Sequence, residues 1–233
     1  MRREITAVTK TDFQLLKPYL LTTYLLWIPL SAMVNVLQGG LFFSICTVSA
    51  VGLFGSVMQL GTADEVSGNF QLLRLTFPQK RTAIQAGHFL SIFLATLVGY
   101  LVGLFAALIS WIIFLLEGKD SIPFGFWGEI VFSFGIFAIA LLIGALMLVC
   151  LAQFGFTKGF RYFPWMVALL SLLIVPLFMP SGPYGALPSQ VFVSIMNNEQ
   201  ARLITSSIAL AGSCMLYAIS AFLAGALYKK RQF

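Results

Sequence analysis

The stretch AGHFLSIFLATLVGYLVGLFAALISWIIFLL, Ala86 to Leu116, contains no Asp, Glu, Lys or Arg. As a helix rising 1.5 Å per residue it would reach about 45 Å, more than the ~30 Å hydrocarbon core of a bilayer. Working outward from it, comparable apolar blocks stand near 18–37, 40–61, 128–153, 164–180 and 204–228, making six in a chain of 233 residues. Only 9% of the residues are charged, 59% are hydrophobic, and the mean hydropathy is +0.94, all outside the range of soluble domains. The blocks run continuously in Leu, Ile, Phe, Val and Ala rather than alternating in ~10-residue pieces, which rejects a transmembrane β-barrel. The expected fold is therefore an all-α integral membrane protein, one domain over 1–233 with six transmembrane helices.

A net charge of +6 does not call for a nucleic-acid partner here, because the positions of the basic residues account for it. With both termini cytoplasmic, the inner side holds Arg2, Arg3, Lys10, Lys17, Arg74, Lys80, Arg81, Lys158, Arg161, Lys229, Lys230 and Arg231, and the outer side only Lys119 and Arg202. Twelve against two is the positive-inside bias, and it sets the expected orientation. The opening MRREITAVTKTDFQLLKPYL has the charges of a secretory leader. Its apolar run from Tyr19 is too long for a leader core and lacks a small-x-small cleavage step, so it is expected to stay as the first span. Cys46, Cys150 and Cys214 each lie inside an apolar block, where a thiol behaves as a small hydrophobe, so neither a disulfide nor a metal site is expected.

Residues 1–17 mix charge with Ile5, Val8, Phe13, Leu15 and Leu16. That pattern predicts a short amphipathic helix lying on the inner membrane surface, an elbow after which Pro18 turns the chain into the bilayer. In the third block Ser91, Ala95, Gly99, Gly103 and Ala107 recur at a spacing of four. Small residues at that spacing line one helix face and allow another backbone to approach, either within the bundle or between subunits. The segment 180–203, with prolines at 180, 183 and 188 and a short apolar run, reads as a re-entrant or surface-lying element on the outer face.

Catalytic chemistry leaves little trace. Glu129 sits one residue inside the fourth block, close enough to the outer interface for its carboxylate to reach water; the alternative is a cavity-lining role. Asn35, Gln59 and Gln153 are also near span ends. His88 is the only histidine, which leaves nothing for a multi-histidine metal site or a Cys-His pair, and is expected at the membrane interface. No G-x-x-x-x-G-K-[ST] loop occurs, so the chain is not expected to bind and hydrolyse ATP by that mechanism, and with no catalytic constellation in view it is expected to be no enzyme and to hold no cofactor. ATP and Mg²⁺, if used, would be bound by a partner.

One stretch departs from the apolar theme: ADEVSGNFQLLRLTFPQKRTAIQAGHF, Ala63 to Phe89, between the second and third blocks. Thr62 and Glu65 have the spacing of a capping box at a helix start. Val66, Phe70 and Leu73 recur at i, i+4 and i+7 with Leu72 alongside, giving a short apolar face opposite Ser67, Asn69, Gln71 and Arg74. Pro78 breaks the helix and suits the first turn of the next. The expected element is a short amphipathic helix over Asp64–Leu75 that either lies flat on the membrane or docks a cytoplasmic partner.

This stretch resembles the inner loop of bacterial ATP-binding-cassette (ABC) type-2 permeases. Asp64 and Glu65 match the family's acidic pair, Ser67 and Gly68 its small pair, Leu72 and Leu73 its apolar run, and Pro78 with Arg81 its Pro-x-x-Arg core. Asn69 replaces an aromatic, Phe77 a Leu and His88 a Lys. The resemblance implies a coupling helix through Asp64, Glu65, Phe70, Leu72, Leu73, Pro78 and Arg81, seated on a separate cytoplasmic ATPase. It also implies a second permease chain, identical or a sister, and a multi-pass place in a bacterial plasma membrane. The function it implies is the permease subunit of an exporter of amphipathic or hydrophobic cargo, such as a peptide toxin, an antimicrobial or a drug. Two other readings fit the composition: an immunity protein that sequesters a peptide without ATP, and a six-span substrate-binding subunit of a vitamin importer.

Overall fold

The computed structural model describes residues 2–38, 41–66, 81–118, 125–155 and 198–230, together with positions 158, 159, 161, 162, 164, 165, 168 and 195. Among them five helices are long and apolar enough to cross a membrane. They are α1 (Arg2–Gln38), α2 (Phe42–Val66), α3 (Arg81–Leu116), α4 (Gly125–Phe154) and α5 (Glu199–Lys230). Each coincides with one of the expected blocks, α2 beginning only at Phe42, and no strand occurs among the described residues. The expected span 164–180 falls outside them but for 164, 165 and 168, and of the segment 180–203 only 195 and 198–203 are described, the last five within α5.

Local chemistry accounts for several helix ends. Gly118 (φ 66°) and Gly155 (φ 82°) adopt the left-handed conformation that L side chains resist, just past the ends of α3 and α4. Their amides return to the carbonyls of Leu115 and Leu151. At the start of α5, Asn198 Oδ1 accepts the amides of Gln200 (3.1 Å) and Ala201 (3.2 Å), an N-cap.

Two expectations about helix ends are corrected. The chain does not turn at Pro18: α1 runs unbroken through Pro18 and Pro29. A proline inside a helix costs about 3 kcal/mol through the lost amide and ring clash. Here the residues around it are held by burial of Val8, Asp12, Leu16, Leu20 and Tyr24, which follow one another at a spacing of four. Nor does a helix begin at Thr62, because α2 continues to Val66, with Gly61 passed as an interior residue. A single interior glycine costs only ~1 kcal/mol.

The helices alternate in direction through the first four. Asp12 of α1 meets Ser91 of α3, and Asn35 meets Ser110, so α1 and α3 are parallel. Ser44 of α2 meets Gly103, and Ser133 of α4 meets Tyr100, so both run against α3. In α5, Tyr217 reaches Phe89 and Gly225 stands beside Thr82. The residues from Arg2 to Lys17, the start of α3 and the end of α5 thus share one end of the bundle, the base; the opposite end is the apex. At 1.5 Å per residue α1 and α3 are each about 55 Å long, so both exceed a bilayer core of ~30 Å by several turns.

Burying Leu against Leu gains little where lipid tails are equally apolar, so helix association rests on close packing and hydrogen bonds. The small-residue stripe supplies both. Ser91 and Ala95 are fully buried and Ala107 nearly so. A Cβ on Gly99 would stand 2.9 Å from Tyr24 Oη and from the Val48 carbonyl oxygen, and 3.3 Å from Gly52 Cα. One on Gly103 would stand 2.9 Å from Ile45 Cα. The stripe is therefore the face on which α1 and α2 lie, inside one chain.

Gly99→Leu is expected to force α2 from α3 and to cost at least about 1–3 kcal/mol, read as loss of monodisperse protein and a lowered melting temperature in detergent. Gly135→Ala, inside α4 where a Cβ would meet nothing within 4 Å, is expected to leave the melting temperature unchanged or raise it slightly in the same measurement.

Candidate functional site

Polar side chains inside the bundle gather in three places, each joining different helices. At the base Asp12 is fully buried although it lies among charged and polar neighbours in sequence. Its Oδ2 stands 2.8 Å from His88 Nδ1 and accepts the Ser91 hydroxyl at 2.9 Å. A carboxylate has only acceptors, so the imidazole donates from Nδ1. One turn earlier Val8 packs on Gly87, where an added Cβ would come within 2.6 Å of it. Asp12, His88 and Ser91 thus clasp the foot of α3 to α1.

Midway, hydroxyls of aromatic residues reach backbone carbonyls of α3. Tyr24 donates to Ala95 O at 3.1 Å and Tyr217 to Phe89 O at 2.8 Å. The Tyr217 ring stands edge-on to Phe89, with centroids 5.4 Å apart. Tyr100 and Ser133 share a 2.6 Å hydrogen bond between α3 and α4. Tyr217 thereby ties α5, whose outer face is largely exposed and apolar, to α3.

Towards the apex Asn35, fully buried, binds three helices at once. Its Nδ2 donates to Ser44 Oγ at 2.8 Å and Ser110 Oγ at 3.1 Å, while its Oδ1 accepts the Ser44 amide at 3.1 Å. Ser44 Oγ in turn donates to Gly103 O at 3.1 Å. Both amide protons and the amide oxygen are used, so the site is satisfied from within.

Also at the apex lies the second buried acid. Glu129, at 5% exposure, lines a cavity of about 230 Å³ formed by Leu41 and Ile45 at the start of α2, Leu104 and Leu108 of α3, and Ile130 beside it on α4. Arg202 of α5, also buried, is near enough to act electrostatically on its carboxylate. Glu129 thus lines a cavity, the second of the two roles its position allows.

Of the residues expected to form a coupling helix, Asp64 and Glu65 belong to the last turn of α2 and Arg81 opens α3. Phe70, Leu72, Leu73 and Pro78 lie outside the described residues. Cys46, Cys150 and Cys214 are free thiols within α2, α4 and α5. Among the described residues no group of three His, Cys, Asp or Glu side chains is placed to hold a metal. No protein-family model, curated protein or solved structure matches the chain.

Sequence reasoning passes over Asp12 and treats Asn35 and His88 as interfacial. The signal for Asp12 is its place in the series Val8, Asp12, Leu16, Leu20, Tyr24, which puts it on the apolar face of α1 rather than the polar one.

Asp12→Ala is expected to remove the carboxylate that joins His88 and Ser91 to α1, Ser91 keeping its bond to the Gly87 carbonyl, and to destabilise the chain by about 1–3 kcal/mol. The double variant Asp12→Ala/Ser91→Ala should cost clearly less than the sum of the single losses, because the two groups share one bond. Thermal unfolding of the four proteins of this cycle in detergent measures both.

Proposed function

We propose that this chain is the transmembrane permease subunit of an ATP-driven exporter in a bacterial plasma membrane, energised by a separate cytoplasmic ABC ATPase. The observation that carries the proposal is the segment from Asp64 to Arg81, whose acidic pair, small pair, apolar run and Pro-x-x-Arg order resemble the ATPase-docking loop of ABC type-2 permeases. In this reading the ATPase holds ATP and Mg²⁺, a second permease chain completes the pathway, and the cargo is an amphipathic or hydrophobic peptide, antimicrobial or drug.

Three features support it. α2 carries the acidic pair on its last turn and α3 begins at Arg81, so residues 67–80 join two helices whose backbones touch. A displacement of that segment would act on a packed pair rather than on a slack linker. The Asp12 clasp extends the same body to α1. Finally, α4 and α5 point the same way although they are consecutive among the five helices, which supports a sixth crossing between Phe154 and Glu199 and the six-span layout of the resembled family.

The segment's apolar face offers the decisive variant. Co-purified with its candidate ABC ATPase, the wild-type chain is expected to form a stable complex that turns over ATP. Phe70→Asp/Leu73→Asp should weaken that complex by about tenfold or more. An intact complex with unchanged turnover would show that these residues do not dock an ATPase.

A further inference from the structure

The Glu129 cavity has a chemistry that the transport reading does not use. Its floor is Leu41 and Ile45, both 1% exposed, and its walls are α3 and α4. Glu129 is the one ionisable residue in a lining that is otherwise apolar. Phe105 and Leu108, which also border it, are exposed on the outer surface of α3, so the cavity adjoins the lipid-facing side rather than the centre of the bundle.

A carboxylate in apolar surroundings is costly to keep unless something compensates it. Arg202 offsets part of that cost from α5, outside the cavity wall. Among the described residues no hydrogen bond engages the Glu129 carboxylate, so its lone pairs remain open to a donor. An anionic ligand would meet a like charge there, and a neutral one would forgo the charge-assisted hydrogen bond that a carboxylate offers. The volume sets the size: an apolar cavity of about 150 Å³ takes up benzene, so 230 Å³ takes a single ring with a short alkylamine arm, and is far too small for a two-tailed lipid.

We propose that this cavity is a binding site for small amphipathic amines, the apolar body lying on Leu41, Ile45 and Leu104 and the ammonium hydrogen-bonding to Glu129. Entry is from the lipid-facing side, past Phe105 and Leu108. As a statement about cargo this rests on the transport reading; as a statement about binding it rests on the cavity alone.

The test uses the full chain in phosphatidylglycerol nanodiscs, whose lipid carries no amine, with a phenylethylamine bearing a small diazirine as photoprobe. Labelling is expected among Leu104–Leu108 and at Ile130, and is expected to be suppressed by excess 2-phenylethylamine but not by 2-phenylethanol or 3-phenylpropionate. Glu129→Gln should lower it by about tenfold or more, the worth of a hydrogen bond to a charged group. Leu108→Trp, which fills the cavity and keeps the carboxylate, should abolish it, and decides the matter with the same competitors if Glu129→Gln is not monodisperse.

Labelling that is unchanged in both variants, that the neutral alcohol suppresses equally, or that spreads over the exposed faces of α1 and α5 as in simple membrane partitioning, overturns the site. No ATPase is present in this measurement. A chain that binds the amine through Glu129 but is not energised by ATP therefore overturns only the transport reading, and one that is energised but shows no Glu129-dependent labelling overturns only the site.

Discussion

The structure depends on how closely α2 and α3 approach each other. In a bilayer an exposed leucine is already among hydrocarbon, so helices do not associate merely to hide apolar surface. What remains is dispersion between well-fitted atoms and hydrogen bonds that lipid cannot offer. Gly52, Gly99 and Gly103 remove the side chains that would hold two backbones apart, and the gap is small enough for Tyr24 of a third helix to reach the Ala95 carbonyl across it. The Asn35 node lies where this approach brings Ser44 of α2 and Ser110 of α3 within reach of one side chain of α1. Widening the α2–α3 spacing would break that node, while the Asp12 clasp joins α1 to α3 directly.

How far the sequence exposes this architecture differs from element to element. The spans are legible because length and apolar continuity alone define a bilayer-crossing helix, and the stripe at Ser91, Ala95, Gly99, Gly103 and Ala107 because a spacing of four is visible without any partner. The continuity of α1 through Pro18 is not, since a proline's local preference argues for a break and only tertiary contacts, Val8 on Gly87 and Asp12 on Ser91, outweigh it. Likewise Thr62 and Glu65 carry a helix-start pattern at a point where the preceding helix has simply not ended.

The polar sites show the same division. Glu129 stands out as an acid inside an apolar block, but its burial depends on α2, α3 and α5 closing around it, which no single helix records. Asp12 is hidden for the opposite reason: its neighbours Lys10, Thr11 and Gln14 make the whole segment look like solvated surface. Reading the segment by face rather than by window removes that disguise, because both flanking positions at a spacing of four are apolar and buried. Asn35 is visible but misplaced, its position near a span end concealing that three helices converge there.

The Asn35 node bears on how the chain is made. Its partners Ser44 and Ser110, together with His88, Ser91 and Ala95, which hold Asp12 and Tyr24, all lie between residues 44 and 110. The first three helices can therefore close on one another as soon as α3 has left the ribosome, before α4 and α5 exist. The later helices are added to a finished surface: α4 through Tyr100 and Ser133, α5 through Phe89 and Tyr217. Assembly in that order leaves the apex cavity without its second wall until α4 arrives against a floor and wall already set.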